Sequence, residues 1–227
     1  WTPLFIAAGK GNENTCSLLL DRGATHDPNE QGATPLFVAA QNGQEKVCAL
    51  VLDHGATHDP MNGGATPLYV AAQEDHEEVC KLLLDRGATH SPMNDGVTPL
   101  LVAAQNAHEK VCSLLLDRGA AHVPNYRGET PLYAAAWEGR ERVCSLLLDR
   151  GATHAPCKHG MTPLHVAARA GHNAICELLV SRCTEEGLPT FLNAVDGSRK
   201  TALDLAREGG HGVIVKFLGV ARRSTLG

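Results

Sequence analysis

Cysteine and histidine recur in this sequence at a fixed interval, and both side chains can ligate metals, titrate or act as nucleophiles. Cys16, Cys48, Cys80, Cys112, Cys144 and Cys176 stand 32 residues apart, and so do His26, His58, His90, His122 and His154. A zinc site or a disulfide would have to bring such residues together. The interval argues against both. If each copy forms one packed helical layer, neighbouring layers lie roughly 8–10 Å apart. That exceeds the about 7 Å between Cα atoms that a disulfide tolerates, and it is too far to share a zinc. No CxxC or HExxH is present. The six cysteines therefore read as small buried hydrophobes, reduced, which fits the cytoplasm or another reducing intracellular compartment. Cys157 and Cys183 fall outside the ladder. The histidines open each loop segment, where they are expected to pack beneath it and hydrogen-bond its backbone. With no nucleophile elbow, phosphate loop or paired-carboxylate motif, no catalytic residue, metal ligand or cofactor is assigned.

Such ladders require a repeated unit to position them. Thr2, Thr34, Thr66, Thr98, Thr130 and Thr162 are each followed by Pro-Leu, and a weaker seventh copy starts at Thr201. Thr34 suits a helix N-cap and Pro35 the first turn, where no amide donor is needed. Leu36, Ala39 and Ala40 fall on one face, and Gly43 offers the left-handed residue that ends a short first helix. A second helix follows in EKVCALVLD. Glu45 sits at its positive end, and Val47, Cys48, Leu50, Val51 and Leu52 cover most of its circumference. So wide a stripe needs neighbours on both sides, so stability must come from stacking copies. A turn segment bearing Pro and Gly closes each unit.

TPLH-x-A, a Gly-terminated helix, a Leu-rich second helix and a closing Gly-Ala resemble the ankyrin repeat, over about residues 1–222. The resemblance implies an all-α repeat, an ankyrin-repeat solenoid of stacked helix pairs whose loops form short hairpin-like fingers. It also implies that fingers and first helices line a groove that binds other proteins. Copies two to six keep 32 residues where the family has about 33, and the missing residue falls in the finger. The family's His survives only as His165, with Phe5, Phe37, Tyr69, Leu101 and Tyr133 elsewhere. Asp75 and Ala107 replace the helix-ending Gly; in left-handed geometry each costs about 1 kcal/mol. Residues 1–182 are read as repeats one to six and 183–192 as an insertion that enlarges the finger between repeats six and seven and protrudes. Residues 193–222 are read as a C-terminal repeat of capping type, and 223–227 as a tail.

The 227 residues carry 20 Lys+Arg against 25 Asp+Glu, a net charge of -5, so no global basic field exists to hold nucleic acid or an anionic membrane. No apolar run approaches the roughly 18–20 residues of a membrane span, which excludes helical insertion as an expectation. Because the copies align with one another, their variable positions can be compared. At finger tips and first-helix ends, copies two to four carry amides and acids. From copy five onward these positions become Tyr126, Arg127, Trp137, Glu138, Lys158, His159 and Arg169, with Arg199 and Lys200 in the last finger. Trp, Tyr and Arg dominate interface energetics. The nine residues are therefore expected to bind a protein partner, an acidic segment with an apolar anchor, in a non-catalytic interaction module acting mainly through repeats five to seven. The alternative is a regulatory or targeting domain of a larger enzyme or channel.

Overall fold

The computed structural model describes residues 1–224, which form fifteen helices and no strand. They gather into two compact units, Trp1–Ala103 with Lys110–Ala121, and Ala104–Glu109 with the residues from His122 onward. The first unit contains α1 (Pro3–Gly9), α2 (Glu13–Asp21), α3 (Pro35–Gln41), α4 (Glu45–Asp53), α5 (Pro67–Gln73) and α6 (Glu77–Asp85), with most of α7 (Pro99–Gln105) and α8 (Glu109–Asp117). The second contains α9 (Pro131–Trp137), α10 (Glu141–Asp149), α11 (Pro163–Ala170), α12 (Asn173–Ser181), α13 (Leu188–Asn193), α14 (Ala202–Glu208) and α15 (Gly212–Ser224). Within each unit first helices pack on first helices and second helices on second helices. No helix among the described residues is long and apolar enough to cross a membrane.

Each first helix starts as its sequence dictates. Thr34 Oγ1 accepts the Phe37 amide at 3.1 Å, and Thr66, Thr98 and Thr130 repeat the bond. Alanines at the middle of these helices, such as Ala39, Ala40, Ala71 and Ala72, are fully buried, so the short helices approach closely. Gly43, at φ +67°, turns the chain into the second helix. Asp75 and Ala107 adopt the same left-handed geometry, with φ of +61° and +68°.

The second helices bury the cysteine ladder completely, and all eight cysteines are free thiols. Burial, reinforced in each case by a neighbouring glutamate, pushes the Cys48, Cys80, Cys144 and Cys176 thiols up to about 12. Among the described residues no group of three or more His, Cys, Asp or Glu is placed to hold a metal ion. At the helix ends Arg86 reaches back to Asp53 at 2.6 Å and Arg118 to Asp85 at 2.7 Å, each one copy earlier. These pairs are partly exposed, and each contributes about 0–1 kcal/mol.

Three details depart from the sequence-based expectation. The loop-opening histidines do not bond to the finger above them. His26 Nε2–H donates to the His54 carbonyl at 3.0 Å and His58 to that of Arg86, so each ring caps the second helix of the next copy. The 183–192 segment is not a protruding loop, because Leu188–Asn193 forms α13. Phe191 and Leu192 are buried there, α13 packs on α15, and the Phe191 ring lies 4.5 Å from that of His154. Finally, α15 continues through Ser224, two residues into the expected tail, whose remaining residues lie outside those described.

Candidate functional site

The nine candidate residues all fall in the second unit, on fingers and at the ends of first helices. Trp137 is the last residue of α9, Glu138 caps it, and Arg169 lies in the last turn of α11. Tyr126 and Arg127 occupy one finger, Lys158 and His159 the next, and Arg199 and Lys200 the last. The fingers are joined through their backbones. Lys158 N–H donates to the Arg127 carbonyl at 2.9 Å, and Gly197 N–H donates to that of His159 at 2.7 Å. Successive fingers therefore carry their side chains in register.

The closest pairing is between Trp137 and Arg169. The Arg169 guanidinium carbon stands 5.9 Å from the centre of the indole, a cation–π contact worth about 0.5–1 kcal/mol where exposed. Trp137 keeps 42% of its surface exposed. Its backbone is pinned, since His172 Nε2–H donates to the Trp137 carbonyl at 3.0 Å. The same bond recurs along the chain. His76 donates to Gln41, Arg140 to Gln105 and His211 to Arg169, each clamping the end of the preceding first helix. Sequence reasoning missed this second ladder, although His76, Arg140, His172 and His211 each stand directly before the second helix of their own copy.

Not all candidates converge. Tyr126 is 64% exposed, but no ring contact joins it to Trp137 among the described residues. Lys200 is committed elsewhere, because its Nζ pairs with Glu208 at 2.8 Å and its carbonyl receives His165 Nε2–H at 3.2 Å. Arg199 holds φ +61° at a position that is glycine in the earlier fingers. There a Cβ on Gly32 would come within 2.6 Å of Asn62 in the next finger, and one on Gly64 within 2.6 Å of Asn94.

Beneath the exposed row lies Tyr133. Burial raises its phenol well above the usual tyrosine range, and Cys157 beside the hydroxyl adds to the effect while Arg169 opposes it. Cys157 holds the finger position occupied by Asn29, Met61, Met93 and Asn125 in other copies, a substitution visible on aligning the copies. The first unit carries a different concavity, of about 480 Å3, which sequence reasoning also missed. Phe5, Phe37 and Tyr69 from first helices form its floor, and Met61 and Met93 from the fingers form its side.

Comparison with known proteins agrees with this architecture. The model of the family described as "Ankyrin repeats (3 copies)" matches residues 1–62, 89–156 and 151–222, and the single ankyrin repeat model matches residues 63–94. None of the curated proteins matches the chain. Among solved structures, the human ASB11 ankyrin repeat domain is similar at 26% identity with a TM-score of 0.80, over 91% of this chain and 92% of that one. The ankyrin repeat domain of Bcl-3, a member of the IkappaB protein family, is similar at 26% identity and the same TM-score of 0.80, over 95% of this chain and 98% of its own. Domains of this fold are in general protein–protein interaction modules and typically non-catalytic. With fourteen of the fifteen helices among the described residues forming seven successive pairs and family matches along its length, the chain belongs to the ankyrin-repeat family.

Proposed function

We propose that this chain is a non-catalytic module that holds a protein partner on the finger and first-helix face of copies five to seven. The observation that carries the reading is the exposed Trp137 indole lying against the Arg169 guanidinium, on a backbone clamped by His172. An aromatic held in one orientation loses little entropy on binding and can anchor an apolar side chain. Arg127, Lys158 and Arg199 would add positive charge and His159 an imidazole from the fingers of the same unit, and Tyr126 and Glu138 would extend the contact row. Such a face suits a segment with an apolar anchor and nearby carboxylates, so acidic peptides should bind better than basic ones.

Selection from a random peptide library on the intact protein, followed by calorimetry on variants, tests this. Trp137→Ala should weaken the acidic class by at least about 2 kcal/mol, and Arg169→Ala should mainly slow association and reduce its salt dependence. Gln105→Ala, at the equivalent place in copy four, should cost less than about 1 kcal/mol. Equal small losses, or a larger loss at Gln105, would put the site elsewhere.

A further inference from the structure

The groove of the first unit differs from the Trp137 face in both shape and charge, and we propose that it is a second, separate binding site, which takes a peptide segment with an apolar side chain flanked by lysine or arginine. Its volume of about 480 Å3 is enough to enclose a large side chain. The floor of Phe5, Phe37 and Tyr69 is fixed by packing, whereas Met61 and Met93 are only half-buried. Unbranched, polarizable methionine side chains adapt to the shape of an incoming group. Gln41 and Gln73 line the groove at the ends of α3 and α5; the exposed Gln41 amide offers both a donor and acceptors to a peptide main chain, while Gln73 Nε2 donates to the Glu74 carboxylate at 2.9 Å.

Charge decides what flanks the anchor. Glu30 lies between the groove residues Asn29 and Gln31, Glu74 caps α5 beside Gln73, and Asp95 follows Met93 by two residues. The Asp95 carboxylate is close enough to the Tyr69 hydroxyl to add to the upward shift that burial gives that phenol. None of the three carboxylates has an ion-pair partner among the described residues. These three acids make the rim a trap for cationic flanks. Because the acids are spread over two fingers and a helix end, a peptide engages them together and a compact small molecule does not. This inference does not depend on the Trp137 site.

The same library selection on the intact protein supplies the probes. The expected result is a class of peptides with an aliphatic or aromatic residue between lysines or arginines. In fluorescence anisotropy, that class should lose affinity by about fivefold or more, with a flatter salt dependence, in the triple variant Glu30→Gln, Glu74→Gln, Asp95→Asn. The Asp95→Asn change keeps the Oδ1 that accepts the Val97 amide at 3.0 Å, so the finger turn is retained. Gln41→Arg, at an exposed position, should weaken binding by about tenfold through bulk and charge. Trp137→Ala should leave this class unchanged. Failure to select a basic-flanked class overturns the proposal, as does a basic class lost in Trp137→Ala but kept in the triple variant. Selection of acidic peptides alone overturns it while leaving the Trp137 reading intact.

Discussion

Each loop-opening histidine leaves one ring nitrogen buried and without a partner. His26, His58, His90 and His122 each donate from Nε2 to a helix-end carbonyl, while their Nδ1 atoms, and that of His154, are buried without a hydrogen-bond partner. At His165, Nδ1 accepts from Thr162 and Nε2 donates to the Lys200 carbonyl, an arrangement made for the neutral ring. Burial holds the pKa of both His154 and His165 below the ordinary 6.5, with the Lys200 and Ala194 carbonyls and Asp196 opposing it at His165. A histidine of this kind binds its proton more readily in the unfolded chain. Its stabilising contribution is therefore complete above 6.5 and is lost as pH falls below that value toward the folded pKa. The thermal midpoint should drop between about pH 7 and about pH 5, and His154→Leu should flatten part of that slope. A midpoint that rises on acidification would contradict the sign. Glycine offers a second test at this scale. A Cβ at Gly43 would lie 2.7 Å from the His76 ring, whereas one at Gly55, also left-handed, meets nothing within 4 Å. Gly55→Ala should cost about 1 kcal/mol in chemical denaturation and Gly43→Ala about 2–3, because the His76 bond to Gln41 is lost as well. Equal losses would mean that the His76 ring yields freely.

The paired helices were legible in the sequence because their determinants are local: a threonine cap, a proline in the first turn, and a left-handed residue at the end. That logic extended to Asp75 and Ala107, whose geometry follows from their place in the unit even though neither is glycine. The six-residue α13 was not legible. LPTFLN is too short to nucleate alone and carries a proline, so its helicity depends on burying Phe191 and Leu192 against α15 and His154. Removing Glu185 through Thr190 should consequently disturb packed structure, and Phe191→Ala should destabilise by about 3 kcal/mol or more, read from the denaturant midpoint at constant m-value. A loss below about 1 kcal/mol would show that α13 rests on the surface. The candidate face was legible only in part. Comparing copies singled out both Trp137 and Arg169 but not their pairing, because a contact between copies leaves no trace in the spacing within one. The floor of the first groove escaped notice for another reason. Phe5, Phe37 and Tyr69 are mostly buried, so their residue types signal packing, and only coordinates reveal the edges that face the groove.

At the scale of the whole chain, the repeated motifs resembled the family that the family matches show, but periodicity treats all copies as equivalent. The division into two compact units falls inside the fourth copy, around Ala104–Glu109, where Ala107 holds its left-handed turn. The net charge of -5 also conceals an uneven distribution, with acids on the groove of the first unit and guanidinium groups on the face of the second. Arg199 sets a direction on how such an array can grow. Earlier fingers keep glycine at this place because the next finger lies where a Cβ would go, and Arg199 fills that space with a side chain. Gene duplication within the run of 32-residue copies reproduces the glycine and lengthens the stack without a collision. A copy inserted directly after the seventh would meet Arg199 where its own finger has to lie. A finger stacked directly on Arg199 would need glycine at that place or a path of its own.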